Sequence, residues 1–294
     1  MRNVRGAQHR EIGLEQYYTD DVTAQKFVND IDSIYDLSSY DMVLEPSAGA
    51  GHILEKLPKA NRVGLDLDPK HDEVAKQDFF KYYPPDWGLM NRSKIITVGN
   101  PPFGRNSKMA VDFFNHAAEF SATICFIIPI TWLKYTVHKK LDRGFGLFYS
   151  EVLDPHCFEL NGKKVEQEIR CVAQCWSKVN PGRENMRIYQ RPKIYHEDFS
   201  VMDGSDFDVW MACWGSGRKH FWMTPQEMDA RIADGTYKNS GGFRKIKFHD
   251  SKAENIMKSI DWIVETHHLN TGVWFLSKGT MVDIYEKYKT LNKA

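Results

Sequence analysis

"DMVLEPSAGAG", residues Asp41 to Gly51, runs from a short apolar stretch into a turn that carries two glycines. A run this brief, closed by turn residues, reads as a strand buried on both faces. Glycines directly behind such a strand allow a tight turn and let a ligand approach the backbone. A helix is expected from about His52. No Gly-Lys-Ser/Thr follows, so the turn is not a phosphate-binding P-loop. A nicotinamide-binding turn fits poorly, because its third glycine would fall at Leu54.

The pattern repeats outward from this point. "NRVGLDLD" predicts a second strand ending in acids, "SKIITVGN" a third and "TICFIIP" a fourth. Upstream, "DDVTAQKFVNDIDSIYDL" spaces Val22, Phe27, Val28, Ile31 and Ile34 as one face of a helix. Thr19 or Asp20 is placed to cap it. "SKMAVDFFNHAAEF" predicts a second helix with Met109, Val111, Phe113, Phe114 and Ala117 on its apolar face. "GLFYSEVLD" and "EIRCVAQCW" predict a further pair of strands. Strands alternating with helices imply an α/β fold with a mostly parallel sheet covered on both faces. Ligands on such sheets bind beyond the carboxyl ends of the strands. The turns "EPSAGAG", "DLDP", "QDFF" and "NPPF" are therefore expected along one edge.

The chain carries 39 basic and 39 acidic residues, so no global field favours a polyanion. Five cysteines without framework spacing argue against a secreted disulfide scaffold and against a metal site. The start lacks the apolar region of a signal peptide. "ATICFIIPI" is too short to span a bilayer. A cytoplasmic protein is expected, or a nuclear one if the cell has a nucleus.

Each turn suggests a chemistry. Asp66 closes the second strand, where an acid can accept from ribose hydroxyls. Asp78 and Phe79 pair an acceptor with a ring that can hold an adenine. In "NPPF", prolines supply a stiff turn with carbonyl acceptors and no competing donors. The Asn100 side-chain oxygen and the Pro101 carbonyl can converge on one NH₂ group. Holding both hydrogens out of plane would localise a lone pair otherwise delocalised into a ring. Pro102 stiffens the turn, and Phe103 can stack on the base.

Together these residues resemble the S-adenosylmethionine-dependent amino-methyltransferases of the N6-adenine type, with the cofactor half first. "QYYT" is similar to that family's N-terminal motif, "LEPSAGAG" to its glycine-rich cofactor motif, "GLDLDP" to its ribose motif, "QDFF" to its adenine motif and "NPPF" to its catalytic motif. Their order and spacing match over roughly residues 14 to 180. The resemblance implies a Rossmann-like class I methyltransferase fold whose seven-stranded sheet ends in an antiparallel pair. It implies S-adenosylmethionine as cofactor and a cofactor site drawn from every turn: Tyr17, Tyr18 and Thr19; Glu45, Pro46, Ser47, Gly49 and Gly51; Asp66 and Leu67; Asp78 and Phe79; and Asn100. It implies that Asn100, Pro101, Pro102 and Phe103 carry catalysis. The expected reaction is methyl transfer to the N6 amine of adenine in nucleic acid, DNA favoured over RNA.

At "VNPGREN" the pattern breaks. A catalytic domain over 1–182 and a smaller mixed α+β target-recognition region over 183–294 are expected. The latter holds five of the eight tryptophans. Arg218, Lys219, His220, Arg244, Lys245 and Lys247 are candidate phosphate contacts, with Trp214, Trp222 or Phe243 able to stack on bases. Clustered tryptophan is also ordinary core, and alternate basic residues are also an ordinary solvated face. Other readings are an RNA enzyme, an N4-cytosine enzyme, a protein-glutamine enzyme, and a non-catalytic nucleic-acid-binding partner. A nicotinamide oxidoreductase would need a hydride-transfer acid/base, and none stands near these turns. Target sequence and oligomeric state are not encoded in any motif.

Overall fold

The computed structural model describes residues 17–85, 94–160, 163–215, 221–266 and 274–291. The chain divides into two units, Met1–Tyr189 and Gln190–Ala294.

The first unit begins with β1 (Tyr18–Thr19) and helix α1 (Asp21–Tyr35). Asp20 caps α1, its carboxylate accepting from the Thr23 N–H at 2.8 Å. Phe27, Val28 and Ile31 are buried as the spacing requires. Val22, in the first turn of α1, is instead 79% exposed. Then follow β2 (Met42–Glu45), β3 (Arg62–Asp66), β4 (Val74–Lys76), β5 (Ile95–Gly99), α2 (Lys108–Ala118), β6 (Thr123–Pro129), α3 (Tyr135–His138) and β7 (Gly146–Val152). β8 (Phe158–Leu160), β9 (Lys163–Lys164) and β10 (Cys171–Ser177) complete the unit.

Seven of these strands form one sheet in the order β4-β3-β2-β5-β6-β10-β7. β4, β3, β2, β5 and β6 run parallel, and β10 lies antiparallel between β6 and β7. This is the seven-stranded, mostly parallel sheet with an antiparallel strand near one edge that the resemblance implies. Alternation along β6 divides the core: Ile124, Phe126 and Ile128 meet α2 on one face, while Cys125 and Ile127 meet α1 on the other. Burial on both faces is what a parallel sheet demands.

Three expectations need correction. The glycine turn is followed by a single 3-10 turn (Leu54–Lys56), not by an α-helix. Only six residues separate Gly51 from Pro58, which cannot sit inside a helix. The edge strand β4 was not anticipated. Met109, the second residue of α2, is 39% exposed and lines a surface cavity, not the core.

β1 pairs antiparallel with β8, and β8 with β9, in a small separate sheet. This pairing ties the N-terminal segment to the β7–β10 connection. After the Asn180–Gly182 turn, the Arg187 guanidinium donates to the backbone carbonyls of Asp142, His138 and Leu141 and holds this segment on the first unit.

The second unit is an antiparallel sheet in the order β11 (Phe199–Met202), β14 (Phe243–Phe248), β12 (Val209–Ala212) and β13 (Trp222–Met223). Helices α4 (Pro225–Ala233), α5 (Ser251–Ser259), α6 (Trp262–Thr266) and α7 (Lys278–Leu291) accompany it. Trp262, Trp274, Met281 and Tyr285 pack with Phe199 and Ile246 in its core. No described helix is long and apolar enough to cross a membrane.

Candidate active site

The carboxyl ends of β4, β3, β2 and β5 open onto a cavity of about 500 Å³. Its wall takes residues from each turn in strand order. Gln77, Asp78, Phe79 and Phe80 follow β4; Asp66, Leu67 and Asp68 end β3; Glu45 and residues 46–49 end β2; Asn100, Pro102 and Gly104 follow β5. Tyr17, Tyr18 and Thr19 come from around β1, and His52, Ile53, Met109 and Phe113 complete the wall. Parallel strands put these turns together, because each ends at the same sheet edge.

Asp66 organises two of the turns. Its Oδ2 accepts from the Gly49 N–H and its Oδ1 from the Asp68 N–H, each at 2.8 Å. Each carboxylate oxygen keeps a further lone pair for a ligand hydroxyl. Gly49 has φ +50°, and a Cβ there would stand 2.5 Å from the Tyr18 ring. Gly49→Ala is expected to displace Tyr18, to cost about 1–3 kcal/mol in backbone strain and collision, and to weaken ligand binding. Thermal denaturation with and without S-adenosylmethionine checks this.

The orientation of Asn100 follows from its neighbour. The Tyr17 carbonyl can only accept, so the amide nitrogen must face it, at 3.2 Å. That leaves Oδ1 buried and without a partner, on a residue that lines the pocket. Ser47 Oγ donates to the Asn100 carbonyl at 3.1 Å and fixes the backbone. Unpartnered buried side-chain atoms are rare and call for an explanation. Among the described residues, three of the seven lie in this wall: Thr19 Oγ1, Glu45 Oε2 and Asn100 Oδ1.

Glu45 is 2% exposed. Burial, and secondarily the charge of Asp66, push its carboxyl up to about 8, against a hydrogen bond from the Leu54 backbone. Gly99 makes room for it: a Cβ there would stand 3.3 Å from Glu45 Cγ.

Other side chains fall differently from the motif reading. Pro101 is buried, and Phe103 packs edge-on to Phe158 at 6.4 Å; neither joins the described cavity wall. Phe79 lines the wall but is itself 2% exposed, packed on Phe113 and His116. Its neighbour Phe80, 41% exposed, is the more accessible ring. The sequence reading passed over it, although "DFF" holds both rings. His52, whose Nδ1 lies 2.7 Å from the Thr19 carbonyl, was also missed. Asn106 and Ser107, just beyond the motif, adopt left-handed φ values of 54° and 58°. Ser107 Oγ meets Thr131 Oγ1 at 2.9 Å.

In the second unit, Arg218, Lys219 and His220 lie outside the described residues. Lys245 donates to the Gly204 carbonyl at 2.8 Å and covers the Phe207 and Trp210 rings. Lys247 pairs with Asp206 and Asp208. Arg244 lies against the Cys213 thiol. Trp214 is 57% exposed, whereas Trp222 and Phe243 are half-buried. Among the described residues, no group of three or more His, Cys, Asp or Glu is arranged to hold a metal ion.

No family profile and no curated protein matches the chain. Solved structures do. A candidate RNA methyltransferase from Pyrococcus horikoshii is 21% identical at TM-score 0.39, over 57% of this chain and 89% of its own. The 23S rRNA methyltransferase ErmE is 16% identical at TM-score 0.37, over 55% and 69%. A type I restriction-modification methyltransferase subunit from Streptococcus thermophilus is 14% identical at TM-score 0.40, over 82% of this chain and 57% of its own.

Proposed function

We propose that the first unit transfers a methyl group from S-adenosylmethionine to the exocyclic N6 amine of adenine in nucleic acid, DNA favoured. The observation that carries this reading is the Asn100 Oδ1 atom. It is a fixed, buried, unpartnered acceptor on a residue that lines a cavity of about 500 Å³. An amine hydrogen is the partner it lacks.

The residues present fit the cofactor. Along the sheet edge, Asp78 with Phe79 and Phe80 would hold its adenine. Asp66 would accept from the ribose hydroxyls, and Glu45 would face its cationic amino-acid end. When bound, the cofactor supplies an electrophilic methyl carbon on a sulfonium. Asn100 accepts one hydrogen of the target amine, with the Pro101 carbonyl as the second acceptor of this proposal. Two acceptors on one NH₂ draw the lone pair out of conjugation and aim it. No base is required before transfer, because the amine becomes acidic only on methylation. Catalysis is positioning and polarisation. The target base must start single-stranded or leave its duplex to reach Asn100. We assign the grip on the polymer to the second unit, where the exposed Trp214 offers a stacking surface.

The test is methyl transfer from labelled cofactor to duplex DNA, single-stranded DNA and RNA, followed by nucleoside mass spectrometry. N6-methyladenine in DNA is the expected product. Label in RNA alone moves the assignment to an RNA enzyme, and N4-methylcytosine moves it to the other base. Cofactor binding with no transfer to any polymer leaves a non-catalytic binding partner.

A further inference from the structure

We infer that Glu45 is a proton-coupled counter-ion: it stands in the pocket wall as a neutral acid, and entry of the cofactor's cationic end expels its proton to solvent. This rests on the cofactor assignment above and adds a proton to the binding equilibrium.

The geometry carries it. Glu45 ends the central strand β2 with 2% of its surface exposed. The nearby Leu54 backbone N–H favours the ionised form only in part, while Oε2 is buried without a partner. An ionised carboxylate with one oxygen unpaired and out of water is costly, and it escapes the cost by taking a proton. The charged side chain acting on it is Asp66, from the neighbouring strand β3, and it is also acidic. Tyr17 and Tyr18 around β1, His52 beyond the glycine turn, and Asp68 and Asp78 complete the titratable groups of the wall. None of these supplies a fixed cation. Burial and Asp66 together raise the Glu45 carboxyl to about 8. The strand order places Glu45 between Asp66, assigned to the ribose, and Asn100, assigned to the target amine. That is where an amino-acid ammonium would lie. A cation there supplies the counter-charge that the protein withholds, and the carboxyl ionises. The balance is one O–H bond broken, with the proton passing to buffer.

The test is calorimetric titration of the full chain with S-adenosylmethionine at pH 7, in buffers of different ionisation enthalpy. Release of roughly 0.7–1 proton per site is expected from a group poised near pH 8. Affinity should rise by up to about tenfold per pH unit between pH 6 and 7.5. 5′-Methylthioadenosine, which lacks the ammonium, should bind without releasing a proton. Glu45→Gln should bind S-adenosylmethionine more weakly, with no release and a flat pH profile. Binding by the parent without proton release overturns the inference, as does release by Glu45→Gln or with methylthioadenosine. If the parent does not bind S-adenosylmethionine at all, the cofactor assignment itself falls and this inference with it. If Glu45→Gln does not bind, the contrast between the two ligands on the parent chain still decides.

Discussion

Asn100→Ala is expected to lower kcat for methyl transfer by roughly 10²–10³-fold, the range for removing one preorganised polar contact to a reacting group. The cofactor dissociation constant should stay within about threefold, because Asp66, Glu45 and the Asp78–Phe80 turn remain. The expected split arises because Oδ1 is spent on no interaction within the protein. Its removal is therefore felt when the target amine arrives. Nδ2 is used, on the Tyr17 carbonyl, so alanine also loosens the β1 segment slightly. Asn100→Asp separates the two effects. It keeps an acceptor for the amine but sets a second oxygen against the Tyr17 carbonyl, so an intermediate rate is expected. Single-turnover kinetics beside equilibrium cofactor binding give both numbers. A fully active Asn100→Ala protein would remove Asn100 from the chemistry.

Asp66→Asn should act on the other side of the reaction. Both Asp66 oxygens accept from backbone N–H groups, Gly49 on one and Asp68 on the other. A carboxamide has a single oxygen, so one N–H must face an NH₂ group. Losing a charge-assisted hydrogen bond costs about 1.5–3 kcal/mol. The ribose contact weakens as well, so cofactor affinity should fall by roughly 10²-fold or more. Transfer at saturating cofactor should fall far less. An unchanged dissociation constant would mean that Asp66 only shapes the turns. Asp66→Asn also removes the negative neighbour of Glu45, so the proton release described above should diminish in this variant.

The strands that build the sheet were legible because each buries several residues in a row. β5 and β6 are buried throughout and almost wholly apolar, and no solvated helix would carry such runs. β4 was not legible. It buries Val74 alone and leaves Ala75 and Lys76 exposed, as an edge strand can, and one buried residue has no period. The missing helix after Gly51 was a misreading of length rather than chemistry: the glycine turn and Pro58 leave space for one 3-10 turn.

The candidate site shows the same division. The residue types at each strand end suggest a chemistry locally, so Glu45, Asp66, Asp78 and Asn100 stand out in the sequence, and all four line one cavity. Which of two adjacent rings faces that cavity is another matter. Phe79 and Phe80 are equivalent in sequence and both touch Phe113 and His116; only burial separates them, Phe79 being 2% and Phe80 41% exposed. Phe103 is drawn against Phe158, a partner 55 residues away that the β1–β8 pairing brings near. In the second unit, Lys247 looked like a free cation until Asp206 and Asp208 were placed beside it, 41 and 39 residues upstream.

Sequence by itself determined the α/β class, the strand-end turns and the residue types that carry the proposed chemistry, because apolar runs, glycine freedom and proline stiffness act within a few residues. Tertiary structure alone decided that Asn100 Oδ1 and Glu45 Oε2 go without partners, that Phe80 is the accessible ring, and that Lys247 is neutralised. Burial and pairing depend on what distant segments bring to the same place, and no local pattern records them.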